Sequence, residues 1–278
     1  MNVETAVFTT NDGVAITYDI CGGMAGDNRP VVALHGWGTD ARIFDRQCDT
    51  ALSARKPWIV PDQRGHGRSA TVQCGGRVAR LSKDLEELLD RLGSPRVDLL
   101  GWSLGCTVIW SLIDLFGQDR IGKIVLVDEI PWVLGSTEMV GGAPGVIDVR
   151  PLVALHDRLA APETRQARSR EFIDGMLCSV TPEERAEILR RVEPAATYIG
   201  IKVLLDAIAT DWTDLLSRIE RPTLVVGGTA SFFGTDFHHR MAGIIPDCRL
   251  EILEGGGHFL HFERPDWLNP ILADFLDP

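Results

Sequence analysis

The chain has no apolar run long enough to cross a membrane. About 20 residues are needed, and the most apolar stretch, Val97–Phe116, is broken by Gly101, Ser103, Gly105 and Asp114. The first 18 residues hold no Lys or Arg, so no secretory leader is expected. Basic residues are in deficit, 28 Lys and Arg against 39 Asp and Glu, a net charge of −11. That balance argues against nucleic acid and anionic membranes as partners and mildly disfavours polyanionic substrates. The six cysteines, Cys21, Cys48, Cys74, Cys106, Cys178 and Cys248, contain no CxxC or other close pair. A zinc ribbon and a small disulfide scaffold are thereby excluded, and buried free thiols in a reducing compartment are expected. These absences describe a soluble cytoplasmic protein acting on a small molecule, as a monomer or a homodimer.

What is present is ordinary for a globular chain: 278 residues, 45% hydrophobic and 24% charged. A chain of this length buries roughly three quarters of its unfolded surface and needs no disulfide or metal to fold. Residues Glu4–Asp19 alternate apolar and polar around Asn11-Asp12-Gly13, which predicts a hairpin. Pro30–Leu34, Trp58–Pro61, Val97–Leu100 and Lys123–Val127 read as buried strands. Between them, Val78–Leu92 sets Leu81, Leu85, Leu88, Leu89 and Leu92 on one helical face and stops at Gly93. Leu104–Phe116 is a second helix, ended by Gly117. Strands alternating with helices predict a parallel sheet covered on both faces. From Leu134 to about Ile219 the pattern is mostly helical, with a capping box at Thr181-Pro182-Glu183-Glu184 and a flexible connector at Met139–Gly145. Strands resume at Pro222–Val226 and Arg249–Leu253, and a helix over Pro265–Leu276 closes the chain. One α/β core, 1–133 and 220–278, is thus interrupted by a helical insertion, 134–219.

Three segments carry chemistry. Gly101-Trp102-Ser103-Leu104-Gly105 joins a strand to a helix, so the Ser103 hydroxyl stands on a sharp turn at a helix N-terminus, where dipole and free N–H groups favour negative charge. His35-Gly36-Trp37-Gly38 follows another strand. Acyl transfer needs two N–H donors aimed at a developing oxyanion, and the N–H groups of Leu104 and Trp37 are placed to supply them; the His35 side chain is expected to serve the loop. Gly255-Gly256-Gly257-His258 can project an imidazole toward Ser103 as general base, with His261 the weaker candidate. A carboxylate must orient that imidazole. Asp128, at the end of the run Val125–Val127, is favoured over Asp236 and Glu129. His238-His239 reads as a surface pair, since adjacent histidines point apart. Asp62–Ser69 reads as a scaffold loop held by Asp62 and Arg64. Trp37, Trp102 and Trp132, with Phe172 and Met176, are candidates for the walls of an apolar pocket.

These segments, HGWG at His35, DQRGHGRS at Asp62, GWSLG at Ser103 and GGGHFLHFERP around His258, resemble the α/β-hydrolase superfamily in the chain order Ser, Asp, His. The resemblance implies an eight-stranded, mostly parallel sheet flanked by helices, a helical cap between strands six and seven, and no need for a metal or organic cofactor. Most members carry the acid after strand seven, where this chain has Ser231. Asp128 after strand six is similar to the placement in some lipases, in lactone hydrolases acting on zearalenone and in cofactor-free quinolone dioxygenases. The last group shares Gly36-Trp37-x-x-Asp40-x-Arg42 and Arg64-Gly65-His66-Gly67 with this chain. The leading expectation is a serine hydrolase of a small, largely apolar ester, lactone or thioester. The alternative is a dioxygenase of an N-heteroaromatic substrate that uses His258 and Asp128, and a third is a receptor that binds without turnover.

Overall fold

The computed structural model describes residues 3–22, 29–48, 50–69, 72–132, 161–195 and 198–277. The hairpin expected at the N-terminus is formed by β1 (Val3–Thr9) and β2 (Ala15–Cys21), antiparallel from Thr9↔Ala15 to Val3↔Cys21. Its loop turns at Gly13, whose φ of +82° lies in the left-handed region. The remaining strands are β3 (Val31–Leu34), β4 (Trp58–Pro61), β5 (Val97–Trp102), β6 (Ile121–Val127), β7 (Thr223–Gly228) and β8 (Cys248–Leu253). They form one eight-stranded sheet in the order β1-β2-β4-β3-β5-β6-β7-β8, parallel everywhere except at the two pairings of β2. Every residue of β3, β4, β5 and β7 is buried, the signature of a sheet covered on both faces. Two strands run past the glycines that read as stops. Gly101 pairs with Leu126, and Gly227 and Gly228 pair with Ile252 and Leu253.

The longer helices among the described residues are α1 (Val78–Leu92), α2 (Leu104–Phe116), α3 (Pro162–Asp174), α4 (Pro182–Ala195), α5 (Tyr198–Ala209), α6 (Asp236–Ile244) and α7 (Pro265–Leu276). In α1 the leucines at 81, 85, 88 and 89 are buried, and Gly93 ends the helix at φ +66° with its N–H on the carbonyls of Leu89 and Asp90. Truncating one such leucine to Ala removes about 2–5 kcal/mol of stability. The capping box forms as read: Thr181 N–H donates to Glu184 Oε2 at 2.8 Å and Glu184 N–H to Thr181 Oγ1 at 3.2 Å. Helices α3, α4 and α5 all lie between β6 and β7 in the chain. The expected connector at Met139–Gly145 falls outside the described residues.

The loop after β4 is scaffold in substance. Asp62 accepts from the N–H groups of Ala41 and Arg68 and from Arg68 Nε, while Arg68 also reaches Asp19. Arg64 is fully buried and pairs with Asp84 through Nε and Nη2 at 2.7 and 2.8 Å, and with Asp12 at 2.8 Å. Arg80 joins the same Asp84. The cysteines depart from expectation. All six are free, but only Cys21, Cys48 and Cys106 are buried; Cys74 and Cys178 lie in loops and are exposed. Among the described residues no helix is long and apolar enough to cross a membrane.

Candidate active site

The turn between β5 and α2 places Ser103 at φ 52°, ψ −122°. Asp128, directly after β6, has φ 46°. Among the described residues these are the only two non-glycine positions with positive φ. Such a backbone costs on the order of 1–3 kcal/mol and persists where the surroundings hold it. Here the parallel ladder does the holding: Ser103 N–H donates to Val127 O at 3.0 Å and Asp128 N–H to Val226 O at 2.8 Å. The glycines beside Ser103 permit close approach. A methyl group at Gly105 would stand 2.1 Å from the Leu34 carbonyl oxygen, and one at Gly36 would stand 3.1 Å from Ser103 Cβ. The His35–Gly38 turn is therefore pressed against the elbow, and Leu104, first residue of α2, has an N–H with no carbonyl a turn earlier to receive it.

His258 is buried, and its Nδ1 donates to Asp128 Oδ2 at 2.7 Å. Ser231 Oγ donates to the same oxygen at 2.6 Å, so the residue standing where most members of the resembled superfamily carry Asp supports the carboxylate instead. Trp102 fixes the other side of the loop: its Nε1 donates to the His258 carbonyl at 2.8 Å, and its ring packs against His258, Phe259 and His261. The rejected candidates fall elsewhere. Asp236 is exposed at the start of α6. His261 is buried between Trp102 and Phe44, and neither of its ring nitrogens has a partner. Burial holds it well below the usual imidazole range. The His35 ring serves the loop, with Nδ1 on the Gly36 carbonyl and Nε2 accepting from Gln63 N–H.

Two residues differ from the reading of the sequence. His238 is not on the surface, although His239 is exposed. The His238 ring is fully buried against β7, where a methyl group at Gly227 would meet it at 2.7 Å. Its Nδ1 lies 3.0 Å from the Gly234 carbonyl, which can only accept, so Nδ1 carries the proton. Nε2 then faces Asp128 Oδ1 at 3.4 Å, and neither atom has a hydrogen bond. The missed signal was helical: His238, Met241 and Ile245 are buried at i, i+3 and i+7. Trp132, the second departure, is half-buried and is not among the described walls of the cavity above Ser103.

That cavity is narrow and lined by Ser103, His258, Trp37, Trp102, Glu129 and a set of apolar side chains. Phe172, Ile173 and Met176 come from α3 and the turn after it, Leu204 and Ile208 from α5, and Phe232 and Phe233 from the loop after β7. Trp37 is anchored by Nε1 on the Gly200 carbonyl at 2.7 Å and packs edge-on against Phe172. Among the described residues no three His, Cys, Asp or Glu side chains gather in a metal-holding group.

A model of the Alpha/beta hydrolase family matches residues 31–271. The non-heme chloroperoxidase CPO-A1 of Kitasatospora aureofaciens is 29% identical over 283 residues, covering 98% of this chain and 99% of its own. An esterase from Exiguobacterium antarcticum has the same fold at a TM-score of 0.86 and 22% identity, covering 97% of this chain and 98% of that one. An enol-lactonase from Burkholderia xenovorans LB400 follows at a TM-score of 0.79 and 22% identity, covering 98% and 99%. With a family match over most of its length and the expected eight-stranded, mostly parallel sheet, the chain belongs to the alpha/beta hydrolase family and is an enzyme of the hydrolase kind.

Proposed function

We infer that the enzyme cleaves a small, largely apolar carboxylic ester, lactone or thioester through an acyl-enzyme on Ser103. The observation that carries this reading is the 2.7 Å bond from His258 Nδ1 to Asp128, with His258 and the strained Ser103 lining one cavity. Ser103 Oγ attacks the carbonyl carbon as His258 Nε2 takes its proton. The tetrahedral oxyanion is held by the N–H groups of Leu104 and Trp37, each such donor being worth roughly 3 kcal/mol of barrier. His258 then returns the proton to the leaving alcohol or thiol, and water repeats the sequence on the acyl-enzyme. Asp128 keeps the proton on Nδ1, so that Nε2 is the basic nitrogen, and stabilises the imidazolium. The apolar walls from α3, α5 and the Phe232–Phe233 loop suit an uncharged substrate of a few carbons to about the size of a small lactone. The Kitasatospora relative is named a non-heme chloroperoxidase; Ser103 at a helix N-terminus, lining one cavity with the paired His258, supports the acyl-transfer reading.

Labelling by a fluorophosphonate that is lost in Ser103→Ala, together with a fall of at least a thousandfold in hydrolysis of a short aryl ester, is the expected result. Oxygen uptake with an N-heteroaromatic substrate that survives Ser103→Ala would replace this reading with the dioxygenase. Binding of such a compound without turnover would replace it with a receptor.

A further inference from the structure

The chain turns at Asp128, and two consecutive carboxyls part there. Asp128 goes to His258 and Ser231, while Glu129 turns into the cavity that Ser103 lines. Glu129 is 6% exposed. Its Oε1 accepts the Ile130 N–H at 2.8 Å, its single hydrogen bond among the described residues. No Lys or Arg pairs with it among the described residues, and it is the one carboxyl among the described cavity walls. The titratable groups facing it are Asp128 beside it, His258 on the cavity wall and Cys106 on α2 behind; α3 and α5 offer only apolar side chains. Among the described residues no cation stands by to balance a carboxylate charge in this apolar setting. Burial accordingly lifts its carboxyl to about 8, the neighbouring Asp128 charge adding to the effect. With Oε1 occupied as an acceptor, the proton resides on Oε2. A buried O–H in an apolar cavity is unfavourable until something accepts from it.

We propose that Glu129 binds the substrate as a neutral carboxylic acid, its Oε2–H donating to a second oxygen of the substrate, a ketone, hydroxyl or ether oxygen apart from the scissile group. The substrate class narrows to oxygenated esters or lactones, and plain aliphatic esters of equal length are the poorer substrates. This assignment rests on the hydrolase reading above.

The test compares kcat/KM for p-nitrophenyl hexanoate with that for its 4-oxo and 5-oxo analogues. At pH 7 the wild type prefers at least one oxo ester by roughly tenfold, and the preference decays as the pH passes about 8. Glu129→Leu abolishes the preference; any general damage from the substitution cancels in the ratio. Glu129→Gln retains an N–H donor, keeps the preference and holds it through pH 9. An unchanged ratio in Glu129→Leu, or a wild-type preference as strong at pH 9 as at pH 7, overturns the proposal. So does a preference for an amino-substituted ester that Glu129→Gln loses, since that would make Glu129 an anionic site. If Glu129→Leu does not fold, the contrast between wild type and Glu129→Gln at pH 9 decides alone. Hydrolysis of all three esters with no preference removes this proposal and leaves the hydrolase reading standing, whereas hydrolysis of none removes both.

Discussion

Arg64 and Asp128 are both fully buried, yet their surroundings are built on opposite terms. Around Arg64 the charges are paired: two guanidinium groups, Arg64 and Arg80, meet Asp84, Asp12 and Glu87, and of their buried nitrogens only Arg64 Nη1 is left without a bond among the described residues. Around Asp128 no Lys or Arg enters among the described residues. Neutral donors, Ser231 Oγ and His258 Nδ1, take one carboxylate oxygen, and the other faces an imidazole nitrogen that holds no proton. The first cluster ties the hairpin loop and α1 to the loop after β4. The second leaves charge and hydrogen-bonding capacity unspent beside a cavity, where developing charge in a reaction can use them. In this fold, compensation marks support and its absence marks the site.

The strongest way to break that comparison is Asp128→Asn. The side chain keeps its size, but an amide can present a donor to His258 Nδ1 and so stabilise the wrong tautomer. We expect kcat/KM for an ester to fall by roughly 10³–10⁴, with a thermal midpoint within a few degrees of wild type. A loss below tenfold would remove Asp128 from the relay. The converse is Arg64→Met. It removes the closer guanidinium from Asp12 and one of the two from Asp84, leaving Arg80 at 3.8 Å from Asp12, and is expected to cost about 3–5 kcal/mol. The midpoint should drop by on the order of 10 °C, while kcat/KM of the folded protein at 25 °C changes by no more than a few fold. A thousandfold loss of activity at an unchanged midpoint would show that the two clusters do not differ in kind.

The same contrast explains what could be read before the structure. The strand at Val97–Leu100 was legible as a short unbroken apolar run, and the helix Val78–Leu92 because burial imposes a period on its leucines. Ser103, His258 and Asp128 were legible because each ends a strand or follows a glycine run at the same edge of the sheet. Whether β5 would pass through Gly101 was not, because pairing with Leu126 is a property of the neighbouring strand. His238 was misread for a related reason. Two adjacent histidines do point apart, but which of them turns inward depends on how α6 lies on β7, and that is set by the space above Gly227. The same holds for the Phe232–Phe233 wall, which lies in a loop with no period to follow.

A smaller effect sharpens the comparison through pH. Burial holds His35, His66 and His238 below the usual imidazole value, His66 at about 3, and His261 well below it. The unfolded chain therefore binds more protons than the folded one once the pH falls below about 6.5, and stability declines on that side. Asp45, raised to about 6, and Glu129, raised to about 8, act in the opposite sense, because their folded forms keep protons that the unfolded chain has released. Below about 6 the histidines, His66 and His261 foremost, act against Asp45 and Glu129, while Glu129 acts alone between about 6.5 and 8. Asp12, lowered to about 2, withdraws its contribution only below about 4. The thermal midpoint should accordingly peak near pH 6.5 and fall on both sides. His238→Asn makes the acid limb shallower, since burial lowers the His238 imidazole, and Glu129→Gln flattens the alkaline limb. Calorimetry from pH 4.5 to 9 reads both slopes. An acid limb unchanged in His238→Asn would mean that His238 already carries its second proton at neutral pH, as an imidazolium paired with Asp128, and the Asp128 cluster would then be a compensated one like that of Arg64.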